Sequence, residues 1–195
     1  MSEMKIDWKN RIVGIFGGCY CPPHSGHYKS VVDAIQNFKL SVVIITIYGR
    51  EDPEEARHGV PEKESVRVWN EWGEIIWKKY KCGVIVQSMY NNLNYVSSDV
   101  GYILDIRIAE SPEQKEQWEK ESFRYSPTFF KNVPRDHISR VITVRETESG
   151  LSSTNFIKCL KTDKDCLEYT PTDIPLKQRK SYINRLKKEY GKYLK

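Results

Sequence analysis

The sequence contains no hydrophobic run long enough to cross a bilayer. Its most apolar stretch extends from Leu40 to Tyr48, which is far shorter than a transmembrane helix. No apolar segment precedes Trp8, so we expect no secretory signal. The cysteines number five, an odd count without the spacing of a disulfide framework. These absences predict a cytoplasmic protein with free thiols and no membrane partner.

Internal repeats are absent, and no linker rich in proline, glycine or serine divides the chain. The 195 residues include 39% hydrophobic and 29% charged residues, which is the composition of an ordinary globular protein. A chain of this length can bury a sizeable core by itself. We therefore expect one domain over residues 1–195.

The net charge of +5 is mild, and much of it lies near the C-terminus. There Tyr182, Ile183, Leu186 and Tyr190 recur at helical spacing, which predicts an amphipathic helix over about 176–194 with its basic residues outward. Contact of this segment with nucleic acid or an anionic surface is the alternative interpretation. The helical spacing favours a docked helix, so we expect no nucleic-acid partner.

Strand and helix patterns alternate along the chain. Short apolar runs predict strands at 11–16, 41–48, 84–87, 102–108 and 138–144. Helical spacing and capping residues predict helices at 26–38, 62–80, 112–123 and 152–160, and the segments 51–61 and 124–136 are expected to be irregular. This alternation predicts an α/β fold, a Rossmann-like doubly wound parallel sheet covered on both faces, with a C-terminal helix.

The segment Gly14–His27, GIFGGCYCPPHSGH, carries the clearest chemical signal. A buried strand ends at Gly17 and Gly18, and a turn with two prolines leads His24 and His27 into a helix. Two histidines three residues apart in a first helical turn lie on the same side. Unpaired backbone amides and the positive end of the helix dipole make such a position attractive to anions. Gly26 lets a ligand approach the backbone closely.

The stretch 17–27, GGCYCPPHSGH, resembles the G-G-T-F-D-P-x-H-x-G-H motif of nicotinate and nicotinamide mononucleotide adenylyltransferases. It is similar, more distantly, to the H-x-G-H motif of phosphopantetheine adenylyltransferase and the cytidylyltransferases. The stretch 150–156, GLSSTNF, resembles the I-S-S-T-x-I motif that opens a late helix in the same families. Two motifs in the right order, each between a strand and a helix, identify the chain as similar to H-x-G-H nucleotidyltransferases.

The resemblance implies direct in-line transfer of a nucleotide to a phosphate-bearing acceptor, with release of pyrophosphate. It assigns binding of the α-to-γ phosphates and of the transition state to His24 and His27. It assigns the outer phosphates to Ser153 and Thr154. Gly17, Gly18 and Gly26 are assigned to close approach of the nucleotide to the backbone. The predicted nucleotide-binding residues also include Cys19, Ser152 and Lys158, which lie within or beside the motifs. The implied Mg²⁺ arrives with the triphosphate, and no metal site of the protein itself is expected.

Two departures from the family pattern concern charge. Cys21 stands where the family has an aspartate before proline, which removes a carboxylate. Ile157 stands where the family has an arginine after the second motif. Arg140, Arg145 and Lys161 are the candidates for a replacement cation. The sequence does not choose among them.

The sequence says less about which nucleotide base the protein binds and which acceptor it uses. The stretch 145–157 also resembles the R-T-x-G-I-S-T-T-x-I-I sequence of cytidylyltransferases, whereas the glycine pair and the chain's ending favour adenylyl transfer to a mononucleotide. The regions 51–67 and 90–99, where an acceptor site is expected, match no motif. Trp69, Trp72 and Trp118 can stack on a base, although tryptophans more often belong to the core.

Three other interpretations stay open. Cys19, Cys21, His24 and His27 are all zinc-ligand types, although their spacing is not that of a usual zinc finger. A catalytically degenerate protein that binds nucleotide without turnover is a second alternative, suggested by Cys21 and Ile157. An RNA-binding relative of class I aminoacyl-tRNA synthetases is disfavoured, because the chain is short and has no K-M-S-K-S segment. Family resemblance also suggests a homo-oligomer.

Overall fold

A computed structural model describes residues 7–88, 93–109, 111–121, 131–144 and 151–195. The strands are β1 (Ile12–Gly18), β2 (Val42–Ile47), β3 (Gly83–Ser88), β4 (Tyr102–Ala109) and β5 (Ile138–Val144). The α-helices are α1 (Ser25–Phe38), α2 (Glu62–Tyr80), α3 (Pro112–Lys120), α4 (Ser153–Leu160) and α5 (Leu176–Tyr190). Within the described ranges a helix follows each of β1, β2, β4 and β5, whereas β4 follows β3 without a described helix between them.

The five strands form one parallel sheet in the order β3-β2-β1-β4-β5. Phe16 of β1 lies beside Ile45 of β2 and Ile106 of β4, so β1 occupies the centre. The chain winds outward from β1 to β3 and then returns to add β4 and β5 on the other side. This order confirms the predicted Rossmann-like doubly wound sheet, and it places a topological switch point between β1 and β4.

The two faces of the sheet are covered differently. Phe16, Ile45 and Ile106 point toward the large apolar core that they share with α1, α2, α4 and α5. Val13 and Ile44 point to the opposite face and pack against Leu93, Val96, Val100 and Val133. Right-handed crossovers that run in opposite directions put their helices on opposite faces. Helices therefore lie on both sides of the sheet, with α3 opposite α1 and α2.

The C-terminal helix packs against the body of the protein. Tyr182, Ile183 and Leu186 are buried along one side of α5, which begins at the predicted residue and continues as a 3-10 turn, Gly191–Tyr193. One basic residue does not face outward as predicted, because Arg185 is buried and its Nε donates to Glu64 Oε1 at 2.7 Å. No helix in the described ranges has the length and apolar character that a bilayer span requires.

Two details differ from the sequence-based expectations. Cys159, in the last turn of α4, forms a disulfide with Cys166, and their Cα atoms are 5.8 Å apart. The expectation of five free thiols is therefore wrong for this pair, and it holds for Cys19, Cys21 and Cys82. Helix α3 ends at Lys120, earlier than predicted. Residues 122–130 and 145–150 lie outside the described residues, as does most of the irregular segment predicted at 124–136.

Candidate nucleotide site

A cavity of about 380 Å³ opens at the carboxyl ends of β1 and β4. This is the switch point of the sheet, where ligands of doubly wound proteins bind. Its wall contains residues of both sequence motifs together with residues of β4, α3 and the 3-10 turn Arg57–Gly59. The lining residues are Gly17, Gly18, Cys19, Tyr20, Cys21, His24, His27, Arg57, Ile106, Arg107, Ile108, Trp118, Ser152, Ser153 and Thr154.

His24 and His27 close the first turn of α1 through reciprocal hydrogen bonds. The Nδ1 atom of His24 accepts from the Gly26 N–H at 3.1 Å, and Nδ1 of His27 accepts from the His24 N–H at 3.3 Å. The arrangement is a capping box in which histidines take the usual places of serine and glutamate. A neutral imidazole whose Nδ1 accepts carries its proton on Nε2. Both rings are therefore hydrogen-bond donors through Nε2.

Aromatic contacts hold these imidazoles in place. The ring centroids of His24 and His27 are 3.7 Å apart, and the edge of Tyr20 meets His27 at 5.0 Å. Tyr20 in turn packs edge-to-face against Trp69, which is fully buried. Because His24 is only 1% exposed, contacts with the protein determine the orientation of its ring. The histidines are positioned before any ligand arrives.

The proline turn before His24 is fixed by three hydroxyl groups from other parts of the chain. Ser65 donates to the Tyr20 carbonyl at 2.7 Å, and Tyr182 donates to the Pro23 carbonyl at 2.8 Å. Ser153 donates to the Pro22 carbonyl at 3.3 Å. The Ser153 contact joins the two sequence motifs directly. Helix α5, through Tyr182, thus helps to position the histidines.

Tyr182→Phe is expected to lower the free energy of unfolding by about 1–2 kcal/mol, because the buried Pro23 carbonyl loses its donor. The same change should loosen the turn that carries His24 and reduce ligand affinity at the cavity. Thermal unfolding and ligand titration measure the two effects. Tyr102→Phe is the control, since Tyr102 is 52% exposed at the opposite end of the sheet. Equal unfolding temperatures and equal ligand affinities of the two variants would contradict this role of Tyr182.

Helix α4 begins at the same cavity. Ser152 is its N-cap, and the Ser152 hydroxyl accepts from the Asn155 N–H at 3.1 Å. Ser153 and Thr154 follow in the first turn and line the cavity. The N-termini of α1 and α4 therefore converge on one space, and both direct the positive end of a helix dipole toward it. Such a convergence suits an anion with more than one phosphate group.

The structure adds two cations that the motifs do not predict. Arg57 and Arg107 both line the cavity. The Nε of Arg107 donates to Asp105 at 3.2 Å, and Arg140 lies 3.7 Å from the same carboxylate. Arg107 lies near the carboxyl end of the strand predicted at 102–108, which is where ligands of parallel sheets bind, so this part of the sequence did contain a signal for it. Arg57 lies in a segment that matches no motif, so the sequence offers no comparable signal for it.

Some predicted residues lie away from the cavity. Lys158 points to another depression, beside Cys159 and Lys164. Gly26 is buried, and its N–H is bonded to His24. Ile157 is also buried in the core and does not line the cavity, so it does not take the place of the family arginine. Of the proposed replacement cations, Arg140 pairs with Asp105, Lys161 caps the end of α4, and Arg145 is outside the described residues.

The tryptophans divide between core and cavity. Trp69 and Trp72 are 0% and 2% exposed and pack against each other at 5.3 Å. They belong to the core and are not available to stack on a base. Trp118, on α3, lines the cavity. It is therefore the one of the three candidate tryptophans that a bound ring can reach.

The zinc interpretation finds no support in the side-chain geometry. Nδ1 of His24 and of His27 are both engaged by backbone amides, and Cys21 Sγ lies 2.8 Å from the Cys19 carbonyl oxygen. Among the residues that the structure describes, no three histidine, cysteine, aspartate or glutamate side chains are grouped to hold a metal ion. The four motif residues instead form the turn and helix start described above.

No family model matches the chain, and no curated protein matches it. Among solved structures, the chain is similar to NadR protein, whose crystal structure was determined in complex with NR. The identity is 13% and the TM-score is 0.40, and the alignment covers 71% of this chain and 37% of that one. The chain thus spans well under two thirds of the length of NadR. At this level the likeness supports no statement about activity.

Proposed function

We propose that the protein is a nucleotidyltransferase that transfers a nucleoside monophosphate to a phosphate-bearing acceptor and releases pyrophosphate. The observation that carries the proposal is the meeting of the two motifs in one cavity. His24 and His27 at the start of α1 face the same space as Ser152, Ser153 and Thr154 at the start of α4. Because both motifs resemble those of H-x-G-H nucleotidyltransferases, we assign nucleotide binding to this cavity.

The reaction needs positioning and charge stabilisation more than it needs a nucleophile from the protein. A phosphate oxygen of the acceptor attacks the α-phosphorus, the bond from this phosphorus to the bridging oxygen of the β-phosphate breaks, and pyrophosphate leaves with the electron pair. His24 and His27 donate through Nε2 to the phosphate oxygens on which negative charge grows. Donors that are fixed before the reaction stabilise such charge most effectively.

The remaining groups of the cavity bind the triphosphate. The hydroxyls of Ser152 and Thr154, with the backbone amides of Ser153 and Thr154 at the start of α4, hold the outer phosphates. Gly17 and Gly18 allow the nucleotide to approach the end of β1. Arg57 and Arg107 supply the positive charge that the buried Ile157 does not. Mg²⁺ enters as part of the nucleotide substrate. Cys21 has no carboxylate with which to contact this Mg²⁺, unlike the aspartate of the family motif.

For the substrates, we propose AMP transfer from ATP to nicotinamide or nicotinate mononucleotide. The closer motif resemblance supports this pair, and Trp118 offers a ring surface in the cavity. A cytidylyltransferase that uses CTP and a phospho-alcohol is the alternative within the same chemistry. Binding of nucleotide without turnover is a second alternative, because Cys21 replaces the family aspartate and Ile157 is buried in the core.

The test is pyrophosphate release by the purified protein with Mg²⁺. ATP and CTP are crossed against nicotinamide and nicotinate mononucleotides, phosphopantetheine, phosphocholine and glycerol 3-phosphate. We expect release with ATP and a nicotinamide-type mononucleotide. Release with CTP and a phospho-alcohol would replace this substrate pair by the cytidylyltransferase alternative. Nucleotide binding without release from any pair would favour the binding-only alternative.

A further inference from the structure

An ion pair whose two side chains are both buried joins α2 to α5. The Nε of Arg185, on α5, donates to Oε1 of Glu64, on α2, at 2.7 Å, and the two side chains are 8% and 2% exposed. Nη2 of Arg185 also lies 3.4 Å from Oε1 of Glu71, further along α2. One guanidinium on α5 thus meets two carboxylates of α2.

Burial of such a pair is costly, because both charges lose their hydration. Replacement of a buried ion pair by apolar side chains of similar volume is often neutral or even stabilising. A large contribution to stability is therefore a poor explanation for Glu64 and Arg185. The neighbours of the pair along the two helices indicate another role.

On α2, the residue after Glu64 holds the beginning of the proline turn. The Ser65 hydroxyl donates to the Tyr20 carbonyl at 2.7 Å, and Ser65 Oγ lies 3.3 Å from Cys21 Sγ. Ser65 itself is fully buried. Because adjacent residues share one rigid helical backbone, a displacement of Glu64 displaces Ser65 with it.

On α5, the residue three positions before Arg185 holds the end of the same turn. The Tyr182 hydroxyl donates to the Pro23 carbonyl at 2.8 Å. Residues three apart on a helix are neighbours, and the Arg185 guanidinium lies 5.8 Å from the centroid of the Tyr182 ring. The same guanidinium therefore contacts the Glu64 carboxylate and the ring that carries this hydroxyl.

We propose that Glu64 and Arg185 are positioning residues for His24 and His27. The pair sets the separation of α2 and α5, and with it the separation of the two hydroxyls that hold the proline turn. That turn leads directly into the first turn of α1, where both imidazoles accept hydrogen bonds from backbone N–H groups. The positioning itself does not depend on what the cavity binds, whereas its effect on turnover rests on the proposed function.

The test uses the double variant Glu64→Leu/Arg185→Met, because removal of Arg185 alone would leave a buried carboxylate unpaired and lower stability for that reason. Imidazole signals are followed by NMR, and each can be assigned by single substitution since the chain has four histidines. We expect the double variant to unfold at a temperature close to that of the wild type, and the signals of His24 and His27 to shift. The signal of His137, at the opposite end of the sheet, should stay unchanged.

Pyrophosphate release then distinguishes positioning from stability. In the double variant kcat should fall by about 10–100-fold, and KM should change less, because the imidazole donors no longer meet the developing charge in the right geometry. Arg185→Lys keeps a cation and a donor for Glu64, so it should restore most of the wild-type kcat and the wild-type imidazole signals. Lys79→Met removes an ion pair with Asp173 from an exposed site of the same helix α2 and should change neither.

A folded double variant with the imidazole signals of the wild type would overturn the proposal, whatever the cavity binds. A fall in kcat that only follows a fall in the unfolding temperature, with no rescue by Arg185→Lys, would overturn it as well. If the double variant does not fold, Glu64→Gln decides, since it keeps the acceptor oxygen and the packing and removes the charge. Its His24 and His27 signals should shift, and unshifted signals would contradict the positioning role. Shifted signals, in a protein whose wild type releases no pyrophosphate, would uphold that role and count against the proposed function.

Discussion

His24→Ala is expected to lower kcat/KM for pyrophosphate release by about 10²–10³-fold, which is the usual effect of removing one preorganised donor from a site of developing charge. The His24 ring is 1% exposed, and its Nδ1 is held by the Gly26 N–H. Its Nε2–H is thereby fixed relative to the cavity. Alanine removes this donor.

Two further variants distinguish the loss of the imidazole donor from the loss of the helix cap, because His24 is also the N-cap of α1. His24→Ser keeps a capping oxygen and loses the imidazole donor, so it should be more stable than His24→Ala and about as inactive. His137→Ala is the matched control, because His137 lies before β5 at the opposite end of the sheet and bonds the Val100 carbonyl. Its activity should equal that of the wild type. Retained activity in His24→Ser would assign the effect to helix capping instead.

Gly59→Ala is expected to lower the free energy of unfolding by about 2–5 kcal/mol, the sum expected for backbone strain and overpacking at one residue. Gly59 has a φ of +73°. A Cβ atom placed there would overlap the carbonyl group of Tyr193. The change would thus displace the 3-10 turn Gly191–Tyr193 from the turn that carries Arg57. For a chain of this length, thermal unfolding should occur about 5–15 °C lower.

Gly191→Ala provides the matched control for Gly59→Ala. Gly191 lies at the end of α5 with a φ of −50°, and a Cβ atom there meets nothing within 4 Å. This variant should unfold at the temperature of the wild type or slightly above it, because alanine loses less backbone entropy than glycine on folding. Equal unfolding temperatures for the two variants would contradict the close approach of Tyr193 to Gly59.

Much of the fold follows from local patterns in the chain. β2 reads VVIITI without a polar side chain other than Thr46, as a central parallel strand requires, and the structure buries all of it. The Ser111-Pro112 signal gives the start of α3, and Ser152 gives the start of α4. The end of α3 is less predictable, because the helix stops without a glycine or proline at Glu121.

The site was predictable only as far as it is built from contiguous motifs. The spacing of His24 and His27 determines that they share one helical turn, and Ser152 follows from its capping role. Arg57 and Tyr182 reach the site from distant parts of the chain, through packing that no local pattern encodes. Lys158 was predicted from its nearness in sequence to the second motif, and the turn of α4 carries it to another face.

The pairing of two cysteines was also not predictable from the sequence. An odd count without framework spacing favours free thiols. The pairing of Cys159 with Cys166 depends on the chain turning back after α4, which brings their Cα atoms to 5.8 Å. That turn also places Tyr169 against Phe156, with ring centroids 5.1 Å apart. The spacing of residues along the sequence does not by itself predict contacts of this kind.

The central claim is that the cavity between the starts of α1 and α4 holds a nucleoside triphosphate. Calorimetric titration of the purified protein with Mg–ATP and with Mg–CTP tests it most directly, since nucleotide binding precedes turnover for either substrate pair and is also required of a binding-only protein. We expect one of the two to bind with a stoichiometry of one per chain, and Thr154→Ala to weaken this binding. Absence of binding by both nucleotides to the folded protein would contradict the claim.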